Sequence, residues 1–153
     1  MAMSTGPVLD SAKLVAIRLH QLDCIYAICG ALAVAFYAEP RATKDIDIVI
    51  ASESDLPAID AALAKDGWFN ASEPIDFPDG IRLHRRLRQV GQQLIILDLL
   101  LPPLTMDFLS DRVLAEVDHA AAWVISKRAL IAMKRLAGRP KDLADLAELE
   151  DDT

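Results

Sequence analysis

Two carboxylates lie two residues apart in Asp45-Ile46-Asp47, at the head of an apolar run that ends at Ile50. If this run is a β-strand, the alternation of side chains puts both carboxylates on one face of the strand and the isoleucines on the other. Neighbouring like charges repel each other, whereas Mg²⁺ binds one or two carboxylates and completes its shell with water and substrate phosphates. Because solvated surface turns also carry this spacing, a metal site depends on what the rest of the chain supplies.

Two further features could supply the missing parts. Gly30 follows a short apolar segment and opens another, so it is expected where a strand turns into a helix. Glycine there allows close backbone approach, and a helix N-terminus favours an anion such as phosphate. Asp98 is a lone acid in the apolar run 93–101, where burial without a partner would be costly. If its strand neighbours the strand of Asp45 and Asp47, the three acids would form a one- or two-metal centre for phosphoryl or nucleotidyl transfer. The alternative is an edge-strand acid that faces solvent.

Hydrophobic periodicity predicts the elements that would position these residues. Helices are predicted at 7–22, at 31–38, from an N-cap at Ser54 to a close at 65–67, and at 104–109, 126–136 and 141–149. Strands are predicted at 25–29, 45–50, 81–90, 93–101, 112–117 and 121–125. This order indicates an α/β (α+β) fold with a mixed sheet of four or five strands, helices on one side and a C-terminal helical pair. We expect a single domain, with an α/β core at 1–125 and C-terminal helices at 126–153.

Composition narrows the class of protein. The 153 residues are 53% hydrophobic with a mean hydropathy of +0.25, so a folded core is expected. No apolar stretch is long enough for a membrane span, and the N-terminal residues lack the order of a signal peptide. Cys24 and Cys29 lack metal-site spacing and are expected to be reduced thiols of a cytoplasmic protein. The net charge of −7 argues against a broad non-specific nucleic-acid binder.

One predicted strand has a basic face. Its alternating members are Arg82, His84, Arg86 and Arg88. This face could be an acceptor-side patch for RNA or another phosphate-bearing substrate. It could equally be a charged face that protects an exposed strand from pairing with other chains.

The motifs together resemble a known family. One stretch resembles the signature of the nucleotidyltransferase superfamily with a polymerase-β-like palm. It consists of Gly30, then fourteen residues that include Pro40-Arg41-x-Thr43, and then Asp45-Ile46-Asp47. That signature continues with a third acid on a later strand, which Asp98 matches. The C-terminal stretch, Lys134 followed by Arg139-x-Lys-Asp142-x-x-Asp145, resembles the branch of minimal nucleotidyltransferases and AbiEii-type toxins.

The resemblance implies a nucleotidyltransferase-like fold and a role for each matching residue. It makes Asp45, Asp47 and Asp98 the ligands of Mg²⁺ or Mn²⁺, with Asp98 also helping to deprotonate the acceptor. It assigns Lys134 to catalysis and to the nucleotide phosphates, with Asp142 orienting that lysine or the nucleotide. The remaining nucleotide-binding residues that it implies are Gly30, Ala31, Arg41 and Thr43.

The implied activity is transfer of a nucleoside monophosphate from an NTP, the substrate, to a hydroxyl acceptor. The acceptor would be a tRNA, a protein or a small molecule, and in a toxin–antitoxin pair a cognate antitoxin would be a further partner. Ala31 stands where the family usually has glycine or serine, which removes one phosphate donor but keeps the backbone N–H. The alternative is therefore a non-catalytic nucleotide- or partner-binding module on the same fold.

Overall fold

The computed structural model of the chain describes residues 6–38, 43–117 and 119–151. The helices are α1 (Pro7–Gln21), α2 (Gly30–Tyr37), α3 (Leu56–Ala64), α4 (Lys127–Ala137) and α5 (Pro140–Asp151). The strands are β1 (Tyr26–Cys29), β2 (Asp45–Ile50), β3 (Phe69–Asn70), β4 (Ile75–Asp76), β5 (Arg82–Val90), β6 (Gln93–Leu101), β7 (Val113–Val117) and β8 (Ala120–Val124). In the described part of the chain, no helix is both long and apolar enough to cross a membrane.

The strands form one mixed sheet in the order β3-β5-β6-β2-β1-β8-β7, and β4 also pairs with β5. The pairs β2–β6 and β1–β8 are parallel, whereas the others are antiparallel. The described residues therefore contribute eight strands to the sheet, and the prediction of four or five is wrong. Two of the additional strands, β3 and β4, have only two residues each, which is too short for a periodic pattern to reveal.

Helices cover both faces of the sheet, so the prediction of helices on one side is also wrong. On one face, α1 and α3 pack against the side chains of Ile46, Ile48 and Ile50. On the other face, α2, α4 and α5 pack against Cys29 and Val49. All four residues of the central strand β1 are buried, which requires cover on both faces of the sheet.

Two local predictions fail for reasons of turn chemistry. The segment 104–109 is a series of turns rather than a helix, because Oδ1 of Asp107 accepts hydrogen bonds from the backbone N–H groups of Leu109 and Ser110, both at 3.0 Å. The N-cap of α3 is Asp55 rather than Ser54, and the side-chain cap lies one turn earlier, at Ser52. Its hydroxyl accepts from the N–H of Ser54 at 3.2 Å and starts the 3₁₀ turn that leads into the helix.

Candidate active site

The parallel pairing of β2 with β6 brings two acids side by side. Its register places Asp47 directly opposite Asp98. Asp45 and Asp47 are partly exposed on one face of β2, while Ile46 and Ile48 are fully buried on the other. The predicted alternation and the predicted neighbourhood of the two strands are therefore confirmed.

Gly30 packs directly against Asp47. It follows β1 and starts α2 with a positive φ of +63°, a conformation that glycine adopts without strain. A Cβ at this position would lie within 2.8 Å of the Cβ of Asp47 and would overlap its carboxylate. The glycine therefore lets β2 present Asp47 beside the N-terminus of α2.

These residues line a cleft of about 800 Å³, a volume typical of small-molecule sites. The sequence-predicted residues on its wall are Gly30, Ala31, Thr43, Asp45, Asp47, Asp98, Lys134 and Asp142. Thr43 also shapes the entry to β2, because its hydroxyl donates to the carbonyl of Asp45 at 3.1 Å. Arg41 lies outside the described residues. The structure thus brings together every predicted site residue that it describes.

The carboxylates of Asp45 and Asp47 form no ion pair with any other described residue. The pKa of Asp47 is raised from its ordinary 3.8 to about 6, chiefly by burial and also by the charges of Asp98 and Asp45, while the charges of Lys141 and Lys134 act in the opposite direction. A divalent cation would relieve this repulsion, so the chemistry of these two side chains fits the Mg²⁺ or Mn²⁺ that the sequence resemblance implies.

Asp98 has a partner that sequence reasoning missed. Its carboxylate is only 4% exposed and accepts two hydrogen bonds from Arg85, from Nε at 2.8 Å and from Nη2 at 3.0 Å. Alternation had assigned Arg85 to the apolar face of its strand. A turn at 91–92 sets a hairpin register in which Arg85 faces Asp98. The position of this turn in the sequence was therefore enough to predict the pair.

This ion pair affects the predicted three-carboxylate centre. Within residues 6–38, 43–117 and 119–151, no group of three or more His, Cys, Asp or Glu side chains is arranged to hold one metal ion. Both oxygens of Asp98 are bonded to Arg85 instead. The centre implied by the resemblance is therefore not preassembled.

Lys134 lies across the cleft in a buried network. It is 6% exposed, and its Nζ lies 3.2 Å from Oδ1 of Asp142 and 2.9 Å from Oδ2 of Asp145. Arg139 also binds Asp142, with Nε 2.7 Å from Oδ2. Burial would raise the pKa of Asp142, but the hydrogen bonds and charges of Arg139 and Lys134 together lower it. Lys134 is therefore held in place by two acids and is not a solvated surface lysine.

The basic face of β5 is covered by helices. Arg86 donates to Asp60 of α3 at 2.7 and 3.0 Å, and Arg88 donates to the hydroxyl of Ser11 of α1 at 2.7 Å. His84 Nε2 lies 3.1 Å from a carboxylate oxygen of Glu53. Both predictions for this face, an RNA patch and an exposed protective face, are therefore wrong for these three residues.

The cleft also has an apolar wall. Its members are Phe77, Pro78, Ile81, Leu83, Leu100, Met133 and Leu136. Phe77 is 42% exposed and is the one aromatic side chain among the described lining residues. Its backbone is fixed by hydrogen bonds from Phe77 N to Ile81 O at 2.9 Å and from Gly80 N to Phe77 O at 3.0 Å.

No protein-family model and no curated protein sequence matches this chain. Solved structures do match. A Thermotoga maritima protein described provisionally as a nucleotidyltransferase superposes with a TM-score of 0.66 at 15% identity, over 99% of this chain and 98% of that one. The chain has a nucleotidyltransferase-like fold. An antigenic nucleotidyltransferase-like protein from Paracoccidioides brasiliensis matches with a TM-score of 0.62 at 18% identity, over 97% of this chain and 78% of that one.

A third matching structure contains a bound small molecule. The lincosamide antibiotic adenylyltransferase LnuA, bound to lincomycin, gives a TM-score of 0.60 at 14% identity, over 94% of this chain and 97% of that chain. The nucleotidyltransferase-like fold implied by the sequence resemblance is thus confirmed. The AbiEii-type branch rests on the sequence motif and stays a prediction.

Proposed function

We propose that this chain is a divalent-cation-dependent nucleotidyltransferase. The observation that carries the proposal is the pair of carboxylates on β2, Asp45 and Asp47, which line the cleft and form no ion pair with another described residue, with Asp47 lying against Gly30. Asp45 and Asp47 would hold the cation, with Asp98 as the neighbouring third acid. When bound, a Mg²⁺ or Mn²⁺ ion supplies positive charge that stabilises the transferring phosphoryl group.

The proposed reaction transfers a nucleoside monophosphate. The acceptor hydroxyl oxygen bonds to the α-phosphorus of an NTP. The bond from that phosphorus to the oxygen bridging the β-phosphate breaks, and pyrophosphate leaves with the electron pair. The hydroxyl proton passes to Asp98 or to solvent. The contribution of the chain is to hold both reactants in line in the cleft.

The triphosphate would lie between α2 and α4. The backbone N–H groups at Gly30 and Ala31 start α2, and a helix N-terminus favours an anion. Ala31 lacks a side-chain donor but retains this backbone group. From the facing wall, Lys134 would bring a positive charge to the phosphates, oriented by its contact with Asp142.

The nucleobase would lie on the apolar wall. Phe77 exposes a large apolar ring to the cleft, and aromatic rings stack on any base through its π-face. A planar base would cover this ring and remove its apolar surface from water. Such a contact favours nucleotides over free phosphate without selecting one base.

A toxin role is the narrower form of this proposal, and the AbiEii-like motif from Lys134 to Asp145 supports it. A tRNA or a protein would then be the acceptor and a cognate antitoxin the partner. Induced expression in a bacterial host tests the role. Growth arrest by the wild type but not by Asp47→Asn is expected, whereas equal growth of both strains would contradict it.

Label transfer tests the activity itself. The purified chain is incubated with Mg²⁺ or Mn²⁺, each α-³²P-NTP and a mixture of cellular RNA, protein and small metabolites. We expect transfer by the wild type and by Glu73→Gln, which removes an exposed carboxylate that does not line the cleft, but not by Asp47→Asn.

Calorimetry with the same nucleotides separates the alternative. Metal-dependent NTP binding without transfer would favour a non-catalytic nucleotide-binding module. The absence of any metal-dependent NTP binding would exclude both readings of the cleft.

A further inference from the structure

Arg85 forms an ion pair with Asp98, the third acid of the proposed site. Each oxygen of the Asp98 carboxylate accepts one hydrogen bond from its guanidinium. Asp47 lies opposite Asp98 in the sheet, and Asp45 lies two residues before Asp47 on the same face of β2. The cleft therefore places three carboxylates around one guanidinium, with that guanidinium bonded to the most buried acid of the three.

In the free protein, the positive charge of Arg85 compensates the negative charge of Asp98. Asp98 is 4% exposed and lies beside two other acids, so without a cationic partner its charge would be buried and uncompensated. A divalent cation between Asp45 and Asp47 would supply the same compensation. Arg85 and the cation are therefore alternative partners for one carboxylate.

Arg85 is able to leave Asp98 without losing its own compensation. Its side chain is 39% exposed and lines the cleft that would hold the triphosphate. A guanidinium binds phosphate oxygens with the same planar, two-pronged geometry that it uses on a carboxylate. The buried carboxylate of Asp98 would keep a cationic partner during the exchange, because the divalent cation would take the place of the guanidinium.

We propose that Arg85 is a positioning residue that pairs with Asp98 in the free protein and exchanges it for a nucleotide phosphate when nucleotide and cation bind. Asp98 then joins Asp45 and Asp47 at the cation. This inference rests on the proposed function. It makes assembly of the three-acid site dependent on the nucleotide.

The test compares Arg85→Gln with Arg128→Gln. Arg128 makes the same two-pronged contact to Asp111, from Nε at 2.7 Å and Nη2 at 3.0 Å, but outside the residues that line the cleft. Mn²⁺ binding is titrated by electron paramagnetic resonance, first without nucleotide and then with a non-hydrolysable NTP analogue.

The expected result is a pair of opposite changes. Arg85→Gln frees Asp98 and binds Mn²⁺ alone about tenfold more tightly than the wild type. The same variant binds the analogue about tenfold more weakly, because the phosphate has lost its guanidinium. Loss of a purely structural contact would weaken both, and Arg128→Gln is expected to change neither by more than about twofold.

Arg85→Lys keeps the proposal testable if Arg85→Gln folds poorly. It retains the charge but loses the two-pronged geometry, so intermediate changes in the same two directions are expected. Unchanged or weaker Mn²⁺ binding in a folded Arg85 variant would overturn the exchange. Label transfer reports on the proposed function separately: if the wild type transfers nothing while Arg85→Gln gains Mn²⁺ affinity and loses affinity for the analogue, the exchange stands and the transferase assignment fails.

Discussion

Asp47 lies in direct contact with Gly30, so that a Cβ on the glycine would come within 2.8 Å of the Cβ of Asp47. Gly30→Ala should therefore displace the carboxylate from the N-terminus of α2. A misplacement of about 1 Å can cost about 100-fold in rate, and we expect at least that loss of nucleotidyl transfer. The measurement is the initial rate of transfer from an α-labelled NTP.

Gly91→Ala is the matched control for this change. Gly91 has a φ of +59°, close to the +63° of Gly30, but a Cβ there would meet nothing within 4 Å. Both variants carry the strain of a left-handed alanine, about 1 kcal/mol, and only one displaces Asp47. Equal transfer rates in the two variants would show that the contact with Gly30 does not position the carboxylate.

The raised pKa of Asp47 predicts a pH-dependent stability. Its folded-state pKa of about 6 lies above its ordinary 3.8, so the folded chain binds this proton more tightly than the unfolded chain. The contribution of Asp47 to the free energy of unfolding should fall as pH rises from about 4 to about 6, by at most about 3 kcal/mol. Urea unfolding across this range in the presence of a chelator measures it.

Asp47→Asn should remove this decrease, whereas Glu73→Gln, which alters an exposed carboxylate, should leave it intact. Addition of Mn²⁺ at neutral pH should restore stability to the wild type, because binding to the folded state alone shifts the equilibrium. An identical pH profile of stability for wild type and Asp47→Asn would show that Asp47 does not cause the pH dependence.

The buried position of Lys134 predicts that its loss destabilises the C-terminal helices. Lys134→Met removes the cation that Asp142 and Asp145, both nearly inaccessible, share, while Arg139 stays bound to Asp142. Removing one member of a buried ion pair typically costs about 3–5 kcal/mol, which thermal unfolding would detect. Arg135→Gln is the control, because it removes an exposed ion pair with Glu150 from the adjacent position of α4 and should cost less than about 1 kcal/mol. Comparable losses in both variants would contradict this account of Lys134.

The apolar wall predicts a nucleotide contact at Phe77. Phe77→Ala should raise the KM for the NTP about tenfold and change kcat little, because stacking contributes about 1–3 kcal/mol per base to binding. Phe69→Ala removes a ring of similar exposure on β3, outside the cleft, and should leave both constants unchanged. A KM unaffected by Phe77→Ala would place the base elsewhere.

Much of the site was predictable because its parts have local patterns. Alternation located Asp45 and Asp47 on one face of β2, and a lone acid in an apolar run marked Asp98. The helical stripe predicted at 126–136 placed Lys134 on a helix, and the motif resemblance singled it out. Such patterns need only neighbouring residues, which is why they remain visible without the fold.

Other features depend on contacts between distant elements. The basic face of β5 is solvated or covered according to where α1 and α3 pack, and nothing within residues 81–90 reports that packing. The number of strands was underestimated because two-residue strands exist only through their partner β5. Arg85 was overlooked for a different reason, since hairpin register would have paired it with Asp98.

Arg85 and Asp47 both lie beside Asp98, but different lengths of chain separate them from it. Arg85 is 13 residues away within a hairpin, whereas Asp47 reaches it only through a parallel pairing across a loop of about 50 residues. Short loops close first, so during folding the hairpin is expected to neutralise Asp98 before β2 arrives with its own acids. The ion pair thereby lowers an electrostatic barrier to completing the centre of the sheet.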